Sequence, residues 1–351
     1  MTLRIGIAGC GFIASVHALA IQSLIDSGLV DASIAAVLDI DPERSDRFAT
    51  QYRATAVADA DALVAAVDVV WVCTWTAEHG AIVRTAARAG RAVFCEKPLA
   101  MTLAECELLA EELARVPHQV GLVLRHAPVF DVLAAELASG RCGQPLATIL
   151  RDDQFFPTQG MYASEWRKDV ACAGGGTLLE HSIHDVDILR RLFGDPEQVS
   201  AHLASRFGNP GIDDIADVRF VYVDDSTATL VSVWHQVLAR PSTRRLEILC
   251  EDAVLWLEDD HLGPVRRETD DGVAVLEGRL PDWIERLRLP EEIAKPLSQY
   301  AVPARAFLDA VAAGDTPMPD AMTALAAHRL VDAAYRSAAA GGVPVTLARL
   351  A

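Results

Sequence analysis

The stretch LRIGIAGCGFIA, residues 3–14, decides the fold of this chain. Its first half predicts a short buried strand, and the residues after Ala14 predict a helix that ends near Ser27. A Gly-x-Gly-x-x-Ala sequence between a strand and a helix is typical of a dinucleotide-binding turn. The first glycine allows the tight turn, and the second lets the backbone approach a pyrophosphate at the helix N-terminus. The stretch therefore predicts a Rossmann domain that contacts a dinucleotide through Gly9, Gly11, Phe12, Ile13 and Ala14.

An acidic residue at the end of the second predicted strand indicates which dinucleotide is bound. Ser33–Leu38 is that strand, and Asp39 follows it directly. A carboxylate at this position can accept hydrogen bonds from both hydroxyls of the adenosine ribose, while Ile40 can cover the adenine. This favours NAD, although Arg44 and Arg47 keep NADP open as an alternative. Asp39 could instead only begin the turn before Pro42.

Strands and helices alternate through the first part of the chain, which predicts a parallel, doubly wound sheet. Val69–Cys73 is the fourth predicted strand and ends at Thr74. Ala92–Cys95 is the fifth, and Gln119–Leu124 is the sixth and ends at Arg125. Ligands of open α/β sheets bind at the carboxyl ends of the strands, so we expect site residues directly after these runs.

Glu96-Lys97-Pro98 follows the fifth strand and supplies the main candidate for chemistry. Proline disfavours the α conformation for the residue before it, so Lys97 should remain extended at the strand end. A partly buried amine there can transfer a proton to or from a substrate oxygen. A surface Glu-Lys turn is the alternative for the tripeptide taken alone.

The pattern changes after Arg125 to longer, alternating runs, which predict an antiparallel sheet in an α+β domain. Asp224–Ser226 is expected to be the hairpin turn between two of these strands. The segment 262–297 is charged and weakly periodic, and we expect loop with some helix there. We therefore place a first domain at residues 1–125 and a second at 126–299. The predicted strands are Leu146–Phe156, Val199–Phe207, Ala216–Val223, Thr227–Val237, Leu246–Cys250 and Ala253–Leu257.

Composition limits the expected partners and compartment. The chain has 351 residues, more than one core usually organises, which favours two domains. The net charge is −18 with no basic block, so neither nucleic acid nor a membrane is expected as a partner. The seven cysteines are scattered and form no Cys-x-x-Cys pair, which favours free thiols in the reducing cytoplasm.

Three glycines, Gly174–Gly176, precede a second candidate site. Thr177–Phe193 predicts a helix on which Glu180, His184 and Asp187 fall at positions i, i+4 and i+7, along one stripe. An acid one turn before a histidine can orient its ring and set its tautomer. A solvated helix face is the alternative for each charged residue. Glu180, His181 and His184 are the alternative candidates for a zinc site, but no metal is expected, because no cysteine or further histidine spacing supports one.

Together these motifs resemble the glucose-fructose oxidoreductase and inositol dehydrogenase family (Gfo/Idh/MocA). The resemblance includes residues 9–14, 73–79, 96–98, 125, 174–187 and the late segment 307–337. It implies a Rossmann domain followed by an α+β domain whose large, mostly antiparallel open sheet forms a homodimer or homotetramer. It also implies that helices within about 300–351 pack back on the Rossmann domain and that the Lys97–Pro98 bond is cis.

The resemblance also implies roles for individual residues. Lys97 is similar to the proton-transfer residue of the family and His184 to its partner, and Glu180 stands where relatives commonly have Asp. Trp75 stands where many relatives have Pro beside the nicotinamide. Further cofactor-binding candidates are Thr74, Trp75, His79, Glu96 and Lys97, and substrate-binding candidates are Lys97, Arg125, Trp166, Arg167, Glu180, His184, Asp187 and His235.

These features favour hydride transfer between a nicotinamide cofactor, preferably NAD, and a carbon that bears a hydroxyl. The acids and hydrogen-bonding side chains favour a small polyhydroxylated substrate, such as a sugar or an inositol, bound between the domains. Lys97 takes the hydroxyl proton, or His184 takes it while Lys97 stabilises the alkoxide. Two alternatives remain: an NAD-dependent glycosidase that oxidises its sugar transiently, and a non-catalytic dinucleotide-binding sensor.

Overall fold

The apolar runs of the first part of the chain form the sheet of a first structural unit. The computed structural model describes residues 2–347, and this unit comprises the chain up to Val123 together with Leu280–Leu325. Its strands are β1 (Leu3–Ala8), β2 (Ala32–Leu38), β3 (Thr55–Ala56), β4 (Val69–Val72), β5 (Ala92–Cys95) and β6 (His118–Val120), and its first helices are α1 (Phe12–Asp26), α2 (Pro42–Tyr52), α3 (Ala60–Ala66), α4 (Thr76–Arg88) and α5 (Leu103–Leu113). Within the described chain these strands pair in parallel in the order β3-β2-β1-β4-β5-β6, which confirms the predicted doubly wound sheet.

Both faces of this sheet are buried, because alternate side chains of a strand point to opposite faces. In β4, Val69 and Trp71 belong to a core that includes residues of α1. Val70 and Val72 belong to a second core, on the other face, with residues of α4 and α5. This two-sided burial explains why β4 is an uninterrupted apolar run and not an alternating one.

The second unit comprises Leu124–Arg279 and the described chain from Ala326 onward. Its elements are α6 (Pro128–Ala138), β7 (Pro145–Phe155), α7 (Val170–Ala173), α8 (Ile183–Phe193), β8 (Gln198–Ala204), β9 (Ile215–Val221), β10 (Thr227–His235), β11 (Thr243–Cys250), β12 (Val254–Leu257), β13 (Val265–Thr269), β14 (Gly272–Leu276) and β15 (Val345–Thr346). Nine strands of the described residues form one sheet, in the order β14-β13-β12-β11-β7-β10-β9-β8-β15. Only β7 and β10 pair in parallel, so the predicted large, mostly antiparallel sheet is confirmed.

One face of this second sheet carries the core of its unit. In β10, Ala228 and Leu230 are fully buried and join residues of α6 and α8 in that core. Thr229, Val231 and Val233 point to the other face and remain partly exposed. Such alternation is typical of a sheet that is packed on one side only.

The last described helices are α9 (Glu291–Ala313) and α10 (Ala321–Ala339). α9 contributes Leu297 and Phe307 to the core beside α1. The first part of α10 contributes Ala321 and Leu325 to the core of the first unit, whereas its second part joins the core of the second unit. The units therefore differ from the predicted domains in that residues 280–299 belong to the first unit and 326–347 to the second. No helix among the described residues is long and apolar enough to span a membrane.

Two other segments differ from the sequence-based expectation. The sixth strand ends at Val120, because the Leu122 N–H donates to the Val120 carbonyl two residues back and turns the chain toward a 3₁₀ turn at Val123–His126. The segment 262–297, expected to be loop with some helix, contains the hairpin of β13 and β14. Its turn ends at Gly272, whose φ of +115° suits glycine.

An aromatic cluster in the first unit allows a test of the placement of α9. The rings of Trp71 and Phe94 stack with centroids 4.1 Å apart, and Phe307 of α9 meets Trp71 edge-on at 5.4 Å. Phe307→Ala removes a fully buried ring and should cost ~3–5 kcal/mol, because a cavity remains. We expect correspondingly faster native-state hydrogen exchange at the amides of β4 and β5. Leu108→Ala, at an exposed position of α5, is the control and should change protection by less than about 0.5 kcal/mol; equal protection in the two variants would contradict the packing of α9.

Candidate active site

Gly9 and Gly11 leave room for a dinucleotide at the start of α1. Gly9 has a φ of +85°, and a Cβ there would lie 2.7 Å from the Cys73 carbonyl oxygen, so only glycine fits. A Cβ at Gly11 would meet no described atom within 4 Å, which leaves open space beside the helix end. The N-cap residue of α1 is Gly11, which makes no side-chain capping hydrogen bond, and a helix N-terminus favours the binding of a phosphate. The other residues of the predicted turn are Phe12 (44% exposed), Ile13 (partly buried) and Ala14 (fully buried).

Asp39 connects the end of β2 to this glycine turn. Its Oδ2 atom accepts the Cys10 N–H at 2.7 Å, and its Oδ1 atom accepts the Asp41 N–H at 2.8 Å. Arg44 lies with its Nε atom 3.8 Å from Asp39 Oδ1 and its Nη2 atom 3.3 Å from Asp41 Oδ2. Both arginines that kept NADP open are therefore already paired with carboxylates, since Arg47 lies 3.6 Å from Glu43. Ile40, which follows Asp39, is 80% exposed.

His79 joins the segments that follow β4 and β5. Its buried ring lies with Nε2 3.1 Å from the Thr74 carbonyl oxygen and Nδ1 2.9 Å from the Pro98 carbonyl oxygen. The ring therefore holds the Thr74–Trp75 segment, which leads into α4, against the segment that carries Lys97. The Lys97–Pro98 bond is cis, as the resemblance implied.

The backbone N–H of Lys97 is bound by a buried acid, Glu96, which in turn contacts a buried histidine, His17. Glu96 Oε1 lies 2.7 Å from His17 Nε2, and Glu96 Oε2 accepts the Lys97 N–H at 3.0 Å. Burial opposes ionisation of Glu96, but the hydrogen bond and charge of His17 and the charge of Lys97 outweigh it and lower the pKa of this carboxyl. Sequence reasoning missed His17. Its signal was a polar residue within the buried stripe of α1, which also contains Ala14 and Ile21.

In the second unit, Asp213 explains the run of three glycines. Its carboxylate accepts the N–H groups of Gly176 at 2.8 Å and Leu178 at 3.0 Å, and the hydroxyl of Tyr335 donates to it at 2.8 Å. A Cβ at Gly176 would lie 1.9 Å from the Asp213 carbonyl oxygen, and one at Gly175 would lie 2.4 Å from the Tyr335 hydroxyl oxygen. The glycines are needed because this acid and this tyrosine pack against their backbone.

The segment after the glycines is not the single α-helix that the sequence predicted. Thr177–His181 is a π-helical turn, and α8 begins only at Ile183. The wider turn changes the i, i+4 relation expected between Glu180 and His184. Both of these side chains are buried, at 2% and 7% exposure, so the alternative of a solvated helix face is wrong for them.

The candidate acids of this segment are paired with arginines. Glu180 Oε2 lies 3.4 Å from Arg167 Nε, and the guanidinium of Arg167 lies 4.5 Å from the centroid of the Trp166 ring. Asp187 accepts two hydrogen bonds from Arg125, each of 2.7 Å. Burial nevertheless raises the pKa of the Asp187 carboxyl. The structure thus brings Arg167 to Glu180, with the Trp166 ring against the Arg167 guanidinium, and Arg125 to Asp187.

His235 does not join this group. Ser232 in the same strand hydrogen-bonds to Thr177 and Ser182, so even-numbered residues of β10 face the π turn. His235 points to the opposite face of the sheet, where it lies 3.4 Å from Asp153. The placement of its strand thus separates it from the other predicted substrate-binding residues of this unit.

A buried charge cluster supports the π turn from the side of the sheet. Arg244 pairs with Asp185 at 2.7 Å and with Asp152 and Asp260 at 3.2 Å each. Asp152 also accepts the Ser182 hydroxyl at 3.0 Å and lies 2.9 Å from His181 Nε2. Sequence reasoning missed this cluster, because its members come from distant segments.

Burial, reinforced by the charge of Asp152, outweighs Arg244 and raises the pKa of the Asp185 carboxyl to about 8. Burial likewise raises the pKa of the Asp152 carboxyl, although the charge of Arg244 opposes that shift. Despite these acids, no group of three or more His, Cys, Asp or Glu residues within residues 2–347 is arranged to hold a metal ion.

Two models of one protein family match the chain in succession. The oxidoreductase family with an NAD-binding Rossmann fold matches residues 3–122, and the GFO/IDH/MocA C-terminal domain matches residues 130–256. The chain belongs to the Gfo/Idh/MocA oxidoreductase family. Glu96 and Lys97 lie in the first matched range, and Glu180 and His184 lie in the second.

Individual Gfo/Idh/MocA proteins match along the whole chain. Inositol 2-dehydrogenase of Burkholderia cenocepacia is 29% identical over 359 residues, covering 99% of this chain and 98% of the relative. The solved structure of a putative myo-inositol dehydrogenase from Sinorhizobium meliloti is similar with a TM-score of 0.77 at 25% identity, covering 99% of this chain and 100% of that one. Levoglucosan dehydrogenase in complex with NADH and levoglucosan shares the fold with a TM-score of 0.87 at 19% identity, covering 100% of both chains.

The protonated carboxyl of Asp185 should make stability depend on pH. Its pKa is raised from 3.8 to about 8, so the folded state holds a proton that the unfolded state loses above about pH 4. The contribution of Asp185 is fully present below pH 4 and is lost as the pH rises toward 8, at no more than ~1.4 kcal/mol per pH unit. Asp185→Asn keeps a neutral donor, so we expect its urea midpoint to fall less between pH 5 and pH 8.5 than that of the wild type.

The control is Asp270→Asn, at an exposed position in the turn between β13 and β14. It should follow the wild-type pH dependence, because a solvated acid has nearly the same proton affinity in the folded and unfolded states. If Asp185→Asn shows the same slope as the wild type and the control, Asp185 is ionised in the folded protein.

Proposed function

We propose that this protein transfers a hydride between NAD and a secondary alcohol or ketone of a small polyhydroxylated compound, such as a sugar, an inositol or a related polyol. The observation that carries the proposal is the placement of Lys97. It directly follows the buried Glu96 at the carboxyl end of β5, in the unit whose glycine turn is open to a dinucleotide. Parallel sheets bind their ligands at that edge, so an amine there can reach a substrate beside the cofactor.

In this reaction the hydride and the proton are handled by different groups. NAD, when bound, supplies the hydride acceptor or donor at its nicotinamide. Lys97 takes the hydroxyl proton as the hydride leaves, or His184 takes it while the Lys97 ammonium stabilises the alkoxide. Glu180 holds its position next to Arg167 and orients the substrate or the imidazole. A sensor that only binds a dinucleotide would need neither Lys97 nor the buried His184.

The pairing of charges supports an uncharged substrate. Glu180 is matched by Arg167, and Asp187 is matched by Arg125. Neither arginine is therefore left with an uncompensated charge that would select an anionic substrate. The name of the curated relative and the sugar in the levoglucosan dehydrogenase complex are consistent with a polyol.

We also propose that copies of this chain associate as a homodimer or homotetramer through the second sheet. The face opposite its core carries exposed apolar side chains, including Ile149 at 47% and Val275 at 55% exposure. Exposed apolar side chains that share one face of a sheet commonly mark a surface through which proteins associate. All seven cysteines are free thiols, which supports a reducing compartment such as the cytoplasm.

A panel of sugars, inositols and sugar acids, assayed with NAD and NADP by absorbance of the reduced cofactor, tests the proposed reaction. With a substrate identified, Lys97→Met should lower kcat by ~10²–10⁴-fold, the usual worth of a positioned acid or base. His184→Ala should lower kcat by a similar factor. The loss of kcat in the double variant should be much smaller than the product of the two single losses. NAD affinity should remain unchanged in all three.

Lys295→Met, at an exposed position of α9, is the matched control and should keep wild-type kcat. Near wild-type turnover by Lys97→Met would overturn the proposed mechanism. Release of a hydrolysed sugar without net reduction of NAD would point to the glycosidase alternative.

NAD should bind at least about tenfold more tightly than NADP, because a 2′-phosphate would meet the Asp39 carboxylate and forgo charged hydrogen bonds to it. Titration of both cofactors by calorimetry measures the ratio. Asp39→Asn should reduce the ratio of NAD affinity to NADP affinity, since the amide keeps a hydrogen-bond acceptor but has no charge. Asp46→Asn is the control: it removes an exposed acid of α2 that does not pair with Arg44 and should leave the ratio unchanged. Equal or tighter NADP binding by the wild type would contradict the role of Asp39.

A further inference from the structure

His17 is a fully buried histidine that the dinucleotide turn does not require. It lies on α1, and its ring packs against three aromatic rings, those of Trp71, Phe94 and Tyr300, with centroids 5.6, 5.1 and 5.1 Å away. Its Nε2 atom lies 2.7 Å from Glu96 Oε1. The apolar packing therefore fixes the ring and directs one nitrogen at one carboxylate oxygen.

The hydrogen bond itself identifies where the proton of the ring lies. A carboxylate can only accept, so Nε2 must carry the proton that is shared with Glu96. The other ring nitrogen, Nδ1, is buried and has no hydrogen-bond partner among residues 2–347. The hydrogen bond from Nε2 to Glu96 is therefore the one that orients this ring within the described residues.

Glu96 is held on several sides by this arrangement. His17 engages Oε1, the Lys97 N–H engages Oε2, and a Cβ at Gly121 would lie 3.0 Å from Oε1, so the glycine backbone closes a further side. Burial alone would favour the protonated form of this acid. Its ionisation therefore depends on the partners that the fold provides, and the His17 hydrogen bond is the leading one.

We propose that His17 is a positioning residue for the proton-transfer step: it keeps Glu96 ionised and fixed, and Glu96 in turn holds the backbone and charge of Lys97 in place. This inference rests on the proposed role of Lys97. His17 acts through Glu96 and touches neither substrate nor cofactor. Without it, Glu96 gains a proton as the pH falls, and the Lys97 N–H loses a charged acceptor.

His17→Phe keeps an aromatic ring in the cluster and removes the donor. We expect kcat to fall by roughly ten- to a hundredfold, as for the loss of one charge-assisted hydrogen bond, with KM for NAD little changed. The kcat profile of this variant should gain an ionisation on its acid side that the wild type lacks. His17→Gln retains an N–H donor and should recover most of kcat and the wild-type profile, whereas a purely structural role would not separate the two variants in this way.

A double-mutant cycle in the Glu96→Gln background isolates the interaction between His17 and Glu96. There, His17→Phe should cost less than about twofold in kcat, because no carboxylate remains to be kept ionised. An undiminished cost in that background would show that His17 acts by packing and would overturn the proposal. His17→Met, which fills the apolar pocket without a donor, replaces the phenylalanine variant if that one does not fold.

A measurement without substrate separates this inference from the proposed function. In protein labelled with ¹³C at glutamate carboxyls, the Glu96 signal is assigned by its loss in Glu96→Gln. It should titrate at a higher pH in His17→Phe than in the wild type. An unmoved titration overturns the role of His17 even if Lys97→Met is inactive. If the Glu96 titration shifts in His17→Phe but Lys97→Met remains active, His17 still controls the ionisation of Glu96. In that case only the proposed connection between this pair and proton transfer by Lys97 is overturned.

Discussion

Backbone N–H groups at strand ends and turns must find acceptors, and in this protein carboxylates with little exposure provide several of them. Asp39 does so at the glycine turn, Glu96 at Lys97, and Asp213 at the start of the π turn. Each acid fixes the main chain of a segment that carries candidate site residues. The positions of the reacting side chains therefore depend on carboxylates that need not touch a substrate themselves.

Arginines balance the buried acids of the second unit. Arg125 forms two parallel hydrogen bonds to Asp187, Arg167 lies beside Glu180, and Arg244 meets three carboxylates. A guanidinium suits this task because its planar set of donors matches carboxylate geometry and it stays charged when buried. A buried acid without such a partner would be costly, so each arginine offsets the cost of burying its carboxylate.

Local patterns account for most of the elements that the sequence predicted. β5 begins and ends where its predicted apolar run does, and α1 ends one residue before the predicted Ser27. The hairpin of β13 and β14 was missed because Arg266, Arg267 and Glu268 obscure its alternation, as charged residues often do in strands at a sheet edge. α9 begins at Glu291, within the segment that was expected to be loop with some helix, and continues through Pro303.

The sequence by itself determined the dinucleotide turn, the doubly wound order of the first unit, and the candidates Lys97, Glu180 and His184. These follow from spacing along the chain, because strands, turns and helix faces have fixed periods. Only the tertiary structure decided the partners: His17 meets Glu96 across 79 residues of sequence, and the twofold period of β10 turns His235 away from the π turn. Contacts between distant segments depend on how whole elements pack, and no local spacing encodes that packing.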